Sequence, residues 1–242
     1  MAFPEKSSTE LSTIAKAFYR HLSDILVEGL KGVTLSKKEL VKRYKFLNPE
    51  LSEKLYKDGK HFMIVGSHFA NWEWGVLAGG LQVSHRCNGL YKPLSNHLID
   101  NYFKKGRAKM GMHLASIKET RVVFSKITSS NTPECFILLA DQSPSNLERA
   151  IWLDFLGIET ACLHGPEYYA KKYDLTIFYV DVQRIKRGYY TVKYIPISEN
   201  SKDSEEGIIT SSYMSTLEQI VKLKPEHWLW SHRRWKHKRQ QQ

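Results

Sequence analysis

Two short apolar segments without charged residues constrain the fold of this chain more than any other feature. Residues 61–66 have the centre Phe-Met-Ile-Val, and residues 135–140 read Cys-Phe-Ile-Leu-Leu-Ala. Each segment is too short to cross a membrane as a helix and has the length and composition of a buried strand. Helical and strand patterns alternate around them. The order of these patterns predicts an α/β domain with a mixed central β-sheet flanked by helices.

The spacing of apolar residues predicts the elements around these two strands. After Ser7, Ser8 and Thr9, which are suitable N-caps, apolar residues recur every three or four positions up to Gly32 and predict an amphipathic helix. Residues 175–183 and 189–197 predict an antiparallel strand pair that turns at Gly188. No repeat or linker divides the sequence, so residues 1–242 are predicted to form a single domain. The other predicted elements are a strand at 87–91 and helices at 36–44, 49–57, 71–82, 95–110, 118–128, 165–172 and 205–223.

The charge of the chain favours an anionic partner. Lysine and arginine number 36 against 25 aspartates and glutamates, which gives a formal net charge of +11. Such a charge suits nucleic acid, a phospholipid surface, or an acidic protein or substrate. Cys87, Cys135 and Cys162 are far apart in the sequence and form no CxxC pair, which argues against a disulfide framework or a thiolate zinc site and indicates a reducing compartment. The sequence contains no apolar run of membrane-spanning length, and residues 1–10 do not have the pattern of a signal peptide.

The densest group of reactive side chains follows the first predicted strand, in the string Ser-His-Phe-Ala-Asn-Trp-Glu at residues 67–73. Within one continuous helix, His68 and Glu73 would point about 140° apart. If His68 instead ends the strand and Glu73 lies in the first helical turn, the chain reverses between them and the carboxylate can reach the imidazole. His68 would then act as a general base on a hydroxyl nucleophile, and Glu73 would orient it. The spacing alone also allows a capped helix beside a histidine whose hydrogen bonds are satisfied.

Four blocks of the sequence, taken in order, resemble a known family. Residues 67–73 are similar to the His-Phe-Gly-Asn-Trp-Glu block of the lipid A late acyltransferases, which are lauroyl and myristoyl transferases of the lysophospholipid acyltransferase-like superfamily; Ala70 stands where the family usually has glycine. Lys105-Gly106-Arg107 and Ala140-Asp141-Gln142 follow in the family's order. The closing block at 225–236 resembles the family's Pro-Glu-Gln-Tyr-x-Trp-x-His-Arg-Arg-Phe-Lys ending. The resemblance spans residues 3–236 and implies a fold like that of glycerol-3-phosphate acyltransferase.

The resemblance implies that the chain transfers a fatty acyl group from acyl carrier protein to a hydroxyl of a lipid A precursor, without a metal or another cofactor. His68 would be the base and Glu73 its partner. Arg107 would contact the anionic acceptor or the oxyanion, although a helix cation exposed to solvent would look the same in the sequence. Asp141 would be a functional carboxylate at the rim of the site, although it also fits an ordinary turn. The substrate-binding residues expected from the resemblance are Asn71, Arg107, Asp141, Arg233 and Arg234.

The same resemblance implies a location at the cytoplasmic face of the bacterial inner membrane, where the acidic carrier protein, the phosphorylated lipid and the anionic leaflet would all attract a chain of charge +11. The arginines and lysines that end the sequence suit this use, but they also suit a basic terminus exposed to solvent. Members of the family normally begin with a hydrophobic anchor helix before the segment that matches residues 3–5. We therefore expect that the sequence as given is truncated ahead of that segment.

Other interpretations of the sequence remain open. Trp228, Trp230 and Trp235 lie among basic residues and could stack on bases in a nucleic-acid-binding protein, but no RNP-like, zinc-finger or helix-turn-helix pattern accompanies them. A non-catalytic membrane-peripheral module with the same fold is a second alternative. A third is an acyltransferase that acts on another glycolipid, an aminolipid or a phospholipid. A metal hydrolase is disfavoured, because the sequence contains no H-E-x-x-H pattern.

Overall fold

The two segments predicted as buried strands lie side by side in the sheet of the computed structural model, which describes residues 2–239. The main sheet consists of β1 (Tyr44–Phe46), β2 (Phe62–Gly66), β3 (Arg86–Tyr91), β4 (His113–Ser116), β5 (Glu134–Leu139), β8 (Thr176–Lys186) and β9 (Tyr189–Ser198). Its seven strands have the order β1-β9-β8-β2-β5-β3-β4. Strands β8 and β9 pair antiparallel, whereas all the other neighbours in this sheet are parallel. The predicted fold class, α/β with a mixed central sheet flanked by helices, is confirmed.

The helices begin and end close to the predicted positions. They are α1 (Ser8–Thr34), α2 (Lys37–Arg43), α3 (Glu50–Lys57), α4 (Trp72–Gln82), α5 (His97–Lys109), α6 (Thr120–Ser125), α7 (Gly165–Tyr173) and α8 (Ile208–Leu223). A capping box fixes the start of α1, since the Ser7 hydroxyl accepts from the Glu10 backbone and the Glu10 carboxylate accepts from the Ser7 backbone. The helix predicted at 205–223 begins later, because Gly207 lies at a φ of 85° immediately before Ile208.

Several elements differ from the prediction. The helix predicted at 118–128 is divided into two 3-10 turns on either side of the short α6. A separate hairpin, β6 (Ile151–Phe155) and β7 (Ile158–Cys162), was not predicted. Its two-residue turn has positive φ at both Leu156 (56°) and Gly157 (72°), which is the geometry of a type I′ turn. Leucine is rare in that conformation, so Leu156 does not indicate a turn in the sequence.

The parallel register brings the ends of the two central strands to one edge of the sheet. Gly66 is paired with Leu139, and the Ala140 backbone donates to the Gly66 carbonyl over 2.9 Å. His68 and Asp141 therefore both lie two residues beyond a pair of neighbouring strand ends. We call the edge toward which β2, β3, β5 and β8 run the carboxyl edge. Ligands of open parallel sheets usually bind at such an edge.

The closing block of the sequence returns to the carboxyl edge as a 3-10 turn at Pro225–His227, a single bridge between Trp228 and Phe69, and further turns. The backbone of Ala70 donates to the His227 carbonyl over 2.9 Å, and that of Leu229 donates to the His68 carbonyl over 3.0 Å. Trp228 is buried and packs with its ring against those of Trp230 and Phe155. These contacts attach the closing block to the backbone of residues 68–70, directly after β2.

The helices described between residues 2 and 239 include none that combines the length and the apolar character needed to pass through a bilayer.

Candidate active site

A sharp turn between β2 and α4 exposes His68 at the carboxyl edge. Strand β2 ends at Gly66, and Asn71 caps α4 by accepting a 2.9 Å hydrogen bond from the Trp74 backbone. Between them, Ala70 is fully buried and has a φ of 50°, in the left-handed region. This conformation disfavours a side chain, which gives a physical reason for the glycine that is usual in the resembled motif. The predicted reversal of the chain between His68 and Glu73 is present.

The carboxylate that contacts the His68 ring belongs to Asp141. The imidazole Nδ1 lies 2.7 Å from Asp141 Oδ1, and the His68 backbone donates to Asp141 Oδ2 over 2.9 Å. The indole Nε1 of Trp228 donates to the same Oδ2 over 2.9 Å. Asp141 is 3% exposed, so three donors hold a nearly buried carboxylate in one orientation. Its Oδ1 accepts the Nδ1 proton, which leaves the lone pair of His68 on Nε2.

The two partners shift each other's pKa toward the charged pair. Burial alone would lower the pKa of His68, but the charge and the hydrogen bond of Asp141 outweigh burial, so the pKa lies above its ordinary value. For Asp141, burial would raise the pKa, but the charge of His68 and the hydrogen bonds from His68 and Trp228 lower it. The site therefore stabilises an imidazolium on His68 beside an ionised Asp141. A general base needs this stabilisation at the moment when it accepts a proton.

The other ring nitrogen of His68 is accessible. His68 Nε2 lies 3.3 Å from the amide nitrogen of Gln142, which can donate to it. The side chain of His68 is 18% exposed, and its ring edge meets the ring of Trp72 with 5.3 Å between centroids. A hydroxyl that approaches from solvent or from a bound lipid would thus meet Nε2 and the Gln142 amide together.

Glu73 does not orient His68, which corrects the sequence-based prediction. Both of its carboxylate oxygens accept from Arg107 Nη2, over 2.8 Å and 3.1 Å. The reason lies in the topology: Glu73 is in the first turn of α4, which packs against α5, whereas the neighbouring strand β5 delivers Asp141 directly to the ring. Glu73 still acts on His68 at longer range. Its negative charge raises the pKa of the imidazole, although by less than the charge or the hydrogen bond of Asp141.

Arg107 is the cation of a second charged pair next to the histidine. Its guanidinium lies over the rings of Tyr91 and Phe103, at 5.8 Å and 5.9 Å from their centroids. Its Nε is buried and has no hydrogen-bond partner within residues 2–239. The prediction that Arg107 contacts the acceptor or the oxyanion remains a prediction.

Two residues predicted to bind substrate have structural roles instead. Asn71 is fully buried, and besides capping α4 it donates to Glu28 Oε2 over 2.6 Å, so both ends of its amide are engaged. Arg234 is 3% exposed and donates to the Ala161 carbonyl over 2.7 Å and to Cys162 Sγ over 3.2 Å. It therefore fixes the closing block to β7. Its neighbour Arg233 is exposed, and its predicted contact with substrate remains a prediction.

Trp228 and Gln142 belong to the site but were not predicted from the sequence as active-site residues. Gln142 stands in the Ala-Asp-Gln block, and Trp228 in the closing block. The signal for Asp141 as the partner of His68 was present, because both residues immediately follow buried strands and the ends of adjacent parallel strands meet at one edge. No sequence pattern indicated that Trp228 would donate to Asp141.

A narrow apolar cavity of about 40 Å³ lies next to the turn that carries His68. It begins at Ser67 and Trp72 and continues between α4 and the sheet. Two glycines of α4, Gly75 and Gly79, line it; a Cβ on Gly75 would lie 2.7 Å from the Tyr44 hydroxyl. The rest of the lining is aliphatic or aromatic and includes Ile64, Val76, Ile137, Leu139, Val180, Val182 and Val192. The apolar character of this lining, but not its present volume, suits a hydrocarbon chain.

The model of a family described as bacterial lipid A biosynthesis acyltransferase matches residues 1–237. The search of curated proteins finds no match.

No group of three or more histidine, cysteine, aspartate or glutamate side chains within residues 2–239 is arranged to hold a metal ion.

Proposed function

Because the chain belongs to the bacterial lipid A biosynthesis acyltransferase family, we propose that it transfers a fatty acyl group from acyl carrier protein to a hydroxyl of a lipid A precursor. His68 is the general base in this proposal, and Asp141 orients it. The observation that carries the assignment is the 2.7 Å contact between His68 Nδ1 and Asp141 Oδ1, which leaves Nε2 free to accept a proton.

The proposed reaction needs one proton acceptor and no change of oxidation state. His68 Nε2 takes the proton of the acceptor hydroxyl as its oxygen attacks the thioester carbonyl, and Asp141 stabilises the imidazolium that forms. The tetrahedral intermediate collapses with cleavage of the carbon–sulfur bond, and the imidazolium returns its proton to the thiolate of the carrier. An ester and a free thiol result. The oxyanion needs hydrogen-bond donors, and in this proposal the Gln142 amide, which lies 3.3 Å from His68 Nε2, and Arg107 supply them.

We assign the apolar cavity beside His68 to the acyl chain. Its opening at Ser67 and Trp72 would place the thioester carbonyl next to the base while the chain extends beneath α4. Val76 is half-buried on α4 and lines the cavity, so Val76→Phe would shorten the available space with little effect on the core. We expect that variant to prefer shorter donors than the parent, as measured by kcat/KM for a series of chain lengths.

We also propose that the protein works at the cytoplasmic face of the inner membrane. Helices α1 and α5 pack side by side, with the Tyr102 hydroxyl donating to the Leu30 carbonyl over 3.1 Å. Around this contact Leu26, Leu30, Leu98 and Ile99 are 64%, 58%, 82% and 48% exposed. Exposed apolar side chains on a chain of charge +11 favour an anionic leaflet. Arg107 belongs to the same α5, so a lipid acceptor held there would lie beside the candidate active site.

The packing of the closing tryptophans supports an enzyme more than a nucleic-acid-binding protein. Trp228 is 3% exposed, and it packs against Trp230 and Trp235 with 4.7 Å and 6.2 Å between ring centroids. The Trp235 indole donates to Thr160 Oγ1 over 2.8 Å. These rings fill the space behind the site, whereas bases would need exposed ring faces to stack on.

The test is mass spectrometry of purified protein in detergent micelles, with a tetra-acylated lipid A precursor and acyl carrier protein charged with C12 to C16 chains. We expect a gain of one acyl chain on the lipid, and a loss of rate of about 10²–10⁴-fold in His68→Ala. His113→Ala, which removes an exposed histidine from β4, is the matched control and should retain the parent rate. If the acyl group is transferred only to a different lipid, the assignment of acyl carrier protein as the donor stands and the assignment of the acceptor is wrong. Full activity of His68→Ala, or no reaction with any acyl lipid, would refute the proposal.

A further inference from the structure

A second cavity lies at the carboxyl edge, beyond the loop that carries Asp141. It has a volume of about 480 Å³ and is lined by Arg121, Arg149, His164, Tyr168 and Lys172, together with Gly165 and Tyr169. We call it the Arg121–Arg149 pocket. No carboxylate contributes to its lining. Its cations distinguish it from the apolar cavity beside His68, which has no charged residue in its lining.

The cations of this pocket are not neutralised by the protein. Among the ion pairs formed within residues 2–239, Arg43, Arg107 and Arg184 each have a carboxylate partner within 4.0 Å, but Arg121, Arg149 and Lys172 have none. Three like charges around one concave surface create a positive potential that attracts an anion. Arginine also offers paired N–H groups that match the oxygens of a phosphate, and the Tyr168 hydroxyl adds a further donor.

The topology places these cations on the same edge as the histidine. Arg121 lies in the first turn of α6, which leads into β5, and α7 begins at Gly165 and leads into β8. Since β5 and β8 both run parallel to β2, the first turns of the helices that precede them lie at the carboxyl edge. Arg149 is in the loop that continues from Asp141 toward β6. The pocket and His68 therefore lie at the same edge of the sheet, although α6 packs against Phe136 on one face and α4 against Ile137 on the other.

We infer that the Arg121–Arg149 pocket binds a phosphate group of one of the two substrates of the proposed reaction. This inference rests on the proposed function, which brings two phosphate-bearing molecules to the carboxyl edge. One is the phosphorylated lipid acceptor, and the other is the carrier protein, whose acyl group is attached through a phosphopantetheine arm. In either case the phosphate is remote from the reacting hydroxyl or thioester, so its binding site is separate from the base.

The first test measures binding without catalysis. Inorganic phosphate is titrated into the parent protein and into Arg121→Gln/Arg149→Gln by calorimetry. A control, Lys57→Gln/Lys60→Gln, removes the same charge from the exposed loop and helix before β2, at the opposite edge. We expect the affinity for phosphate to fall about ten-fold or more in the arginine variant and to stay near the parent value in the control. An equal fall in both variants would show a general effect of net charge and would overturn the inference.

The second test identifies the source of the phosphate. KM is measured for the bisphosphorylated acceptor and for acceptors that lack one phosphate, and separately for acyl carrier protein and for an acyl-pantetheine donor without phosphate. A KM that rises about ten-fold or more in Arg121→Gln/Arg149→Gln only with a phosphorylated acceptor assigns the pocket to the lipid. A rise only with the phosphate-bearing donor assigns it to the carrier. Phosphate binding without a change in either KM would refute the role in substrate binding.

The two proposals can fail separately. If the parent protein transfers no acyl group, the proposed function fails, whereas the phosphate titration still decides whether the pocket binds this anion. If His68→Ala abolishes transfer but the arginine variant behaves as the lysine control does in both tests, the proposed function stands and the pocket assignment is wrong. Circular dichroism of both double variants checks that each is folded.

Discussion

Asp141 and Glu73 are two carboxylates near one histidine, and the structure gives them different partners. Asp141 is nearly buried, contacts the imidazole at 2.7 Å and accepts from the indole of Trp228. Glu73 is a quarter exposed and accepts from Arg107. Both carboxylates raise the pKa of His68, but Asp141 does so through its charge and a direct hydrogen bond, and Glu73 through its charge alone.

The difference shows how a parallel sheet assembles a catalytic pair. A residue five positions away in sequence enters the next helix and turns toward a neighbouring helix, whereas a residue 73 positions away stands at the end of the adjacent strand. Proximity in sequence is therefore a weaker guide to the partner of His68 than the strand order. The predictions below are designed to separate the two carboxylates.

The largest effect is expected for Asp141→Asn. The His68 backbone and the Trp228 indole both donate to Asp141 Oδ2, so the amide oxygen of an asparagine should occupy that position. Its NH₂ group would then face Nδ1 and would favour the tautomer whose proton is on Nε2, which cannot act as a base. We expect kcat to fall by about 10²–10⁴-fold, as for loss of the base itself. Steady-state kinetics and circular dichroism measure this, and a nearly unchanged kcat in a folded variant would show that Asp141 does not orient His68.

A smaller effect is expected for Glu73→Gln. The amide oxygen can still accept from Arg107, but the charge that neutralised the guanidinium is lost. We expect kcat/KM to fall by about ten-fold, because a charge-assisted hydrogen bond becomes a weaker one and Arg107 is held less firmly. Glu39→Gln, which changes the similar pair with Arg43 on α2, should have no effect, because neither residue contacts His68 or Arg107 by a hydrogen bond or ion pair. A loss as large as that of Asp141→Asn would restore Glu73 as the principal partner of the base.

The sequence was sufficient to predict the strand that ends before His68 and the strand that ends before Asp141, and it allowed the reversal of the chain at residues 67–73 as one of two alternatives. These features follow from local apolar runs and from the change to a helical period. The partner of His68 depended on the order of the strands, which a single sequence does not specify. Arg234 and Asn71 were wrongly predicted to bind substrate, because the sequence of a motif does not distinguish a polar residue that faces a substrate from one that contacts a buried group of the protein.

The pH dependence of kcat/KM separates the two carboxylates further. Only neutral His68 can accept a proton, so activity is present above its pKa and is lost as the pH falls through it. Asp141 is the main group that raises the pKa of His68, and burial lowers it. The acid limb of the pH profile should therefore move to lower pH in Asp141→Asn, even though the rate of that variant is reduced at every pH. In Glu73→Gln the limb should move in the same direction by less. The profiles should be recorded with a saturating donor, and a larger movement in Glu73→Gln would reverse the ranking of the two groups.

The smallest effect concerns Ala70, in the turn that sends His68 and Glu73 in different directions. Its left-handed backbone, with a φ of 50°, disfavours a Cβ, so Ala70→Gly should relieve strain and increase the free energy of unfolding by about 1 kcal/mol. Ala78→Gly is the matched control, because Ala78 is as fully buried but lies within α4, where glycine should lower stability by about the same amount. For a domain of this size, thermal unfolding should show opposite shifts in Tm of about 2–4 °C. If Ala70→Gly also keeps the parent kcat, the turn is held by its hydrogen bonds to the closing block and does not depend on the side chain at position 70. If instead both variants are equally destabilised, the turn carries no strain.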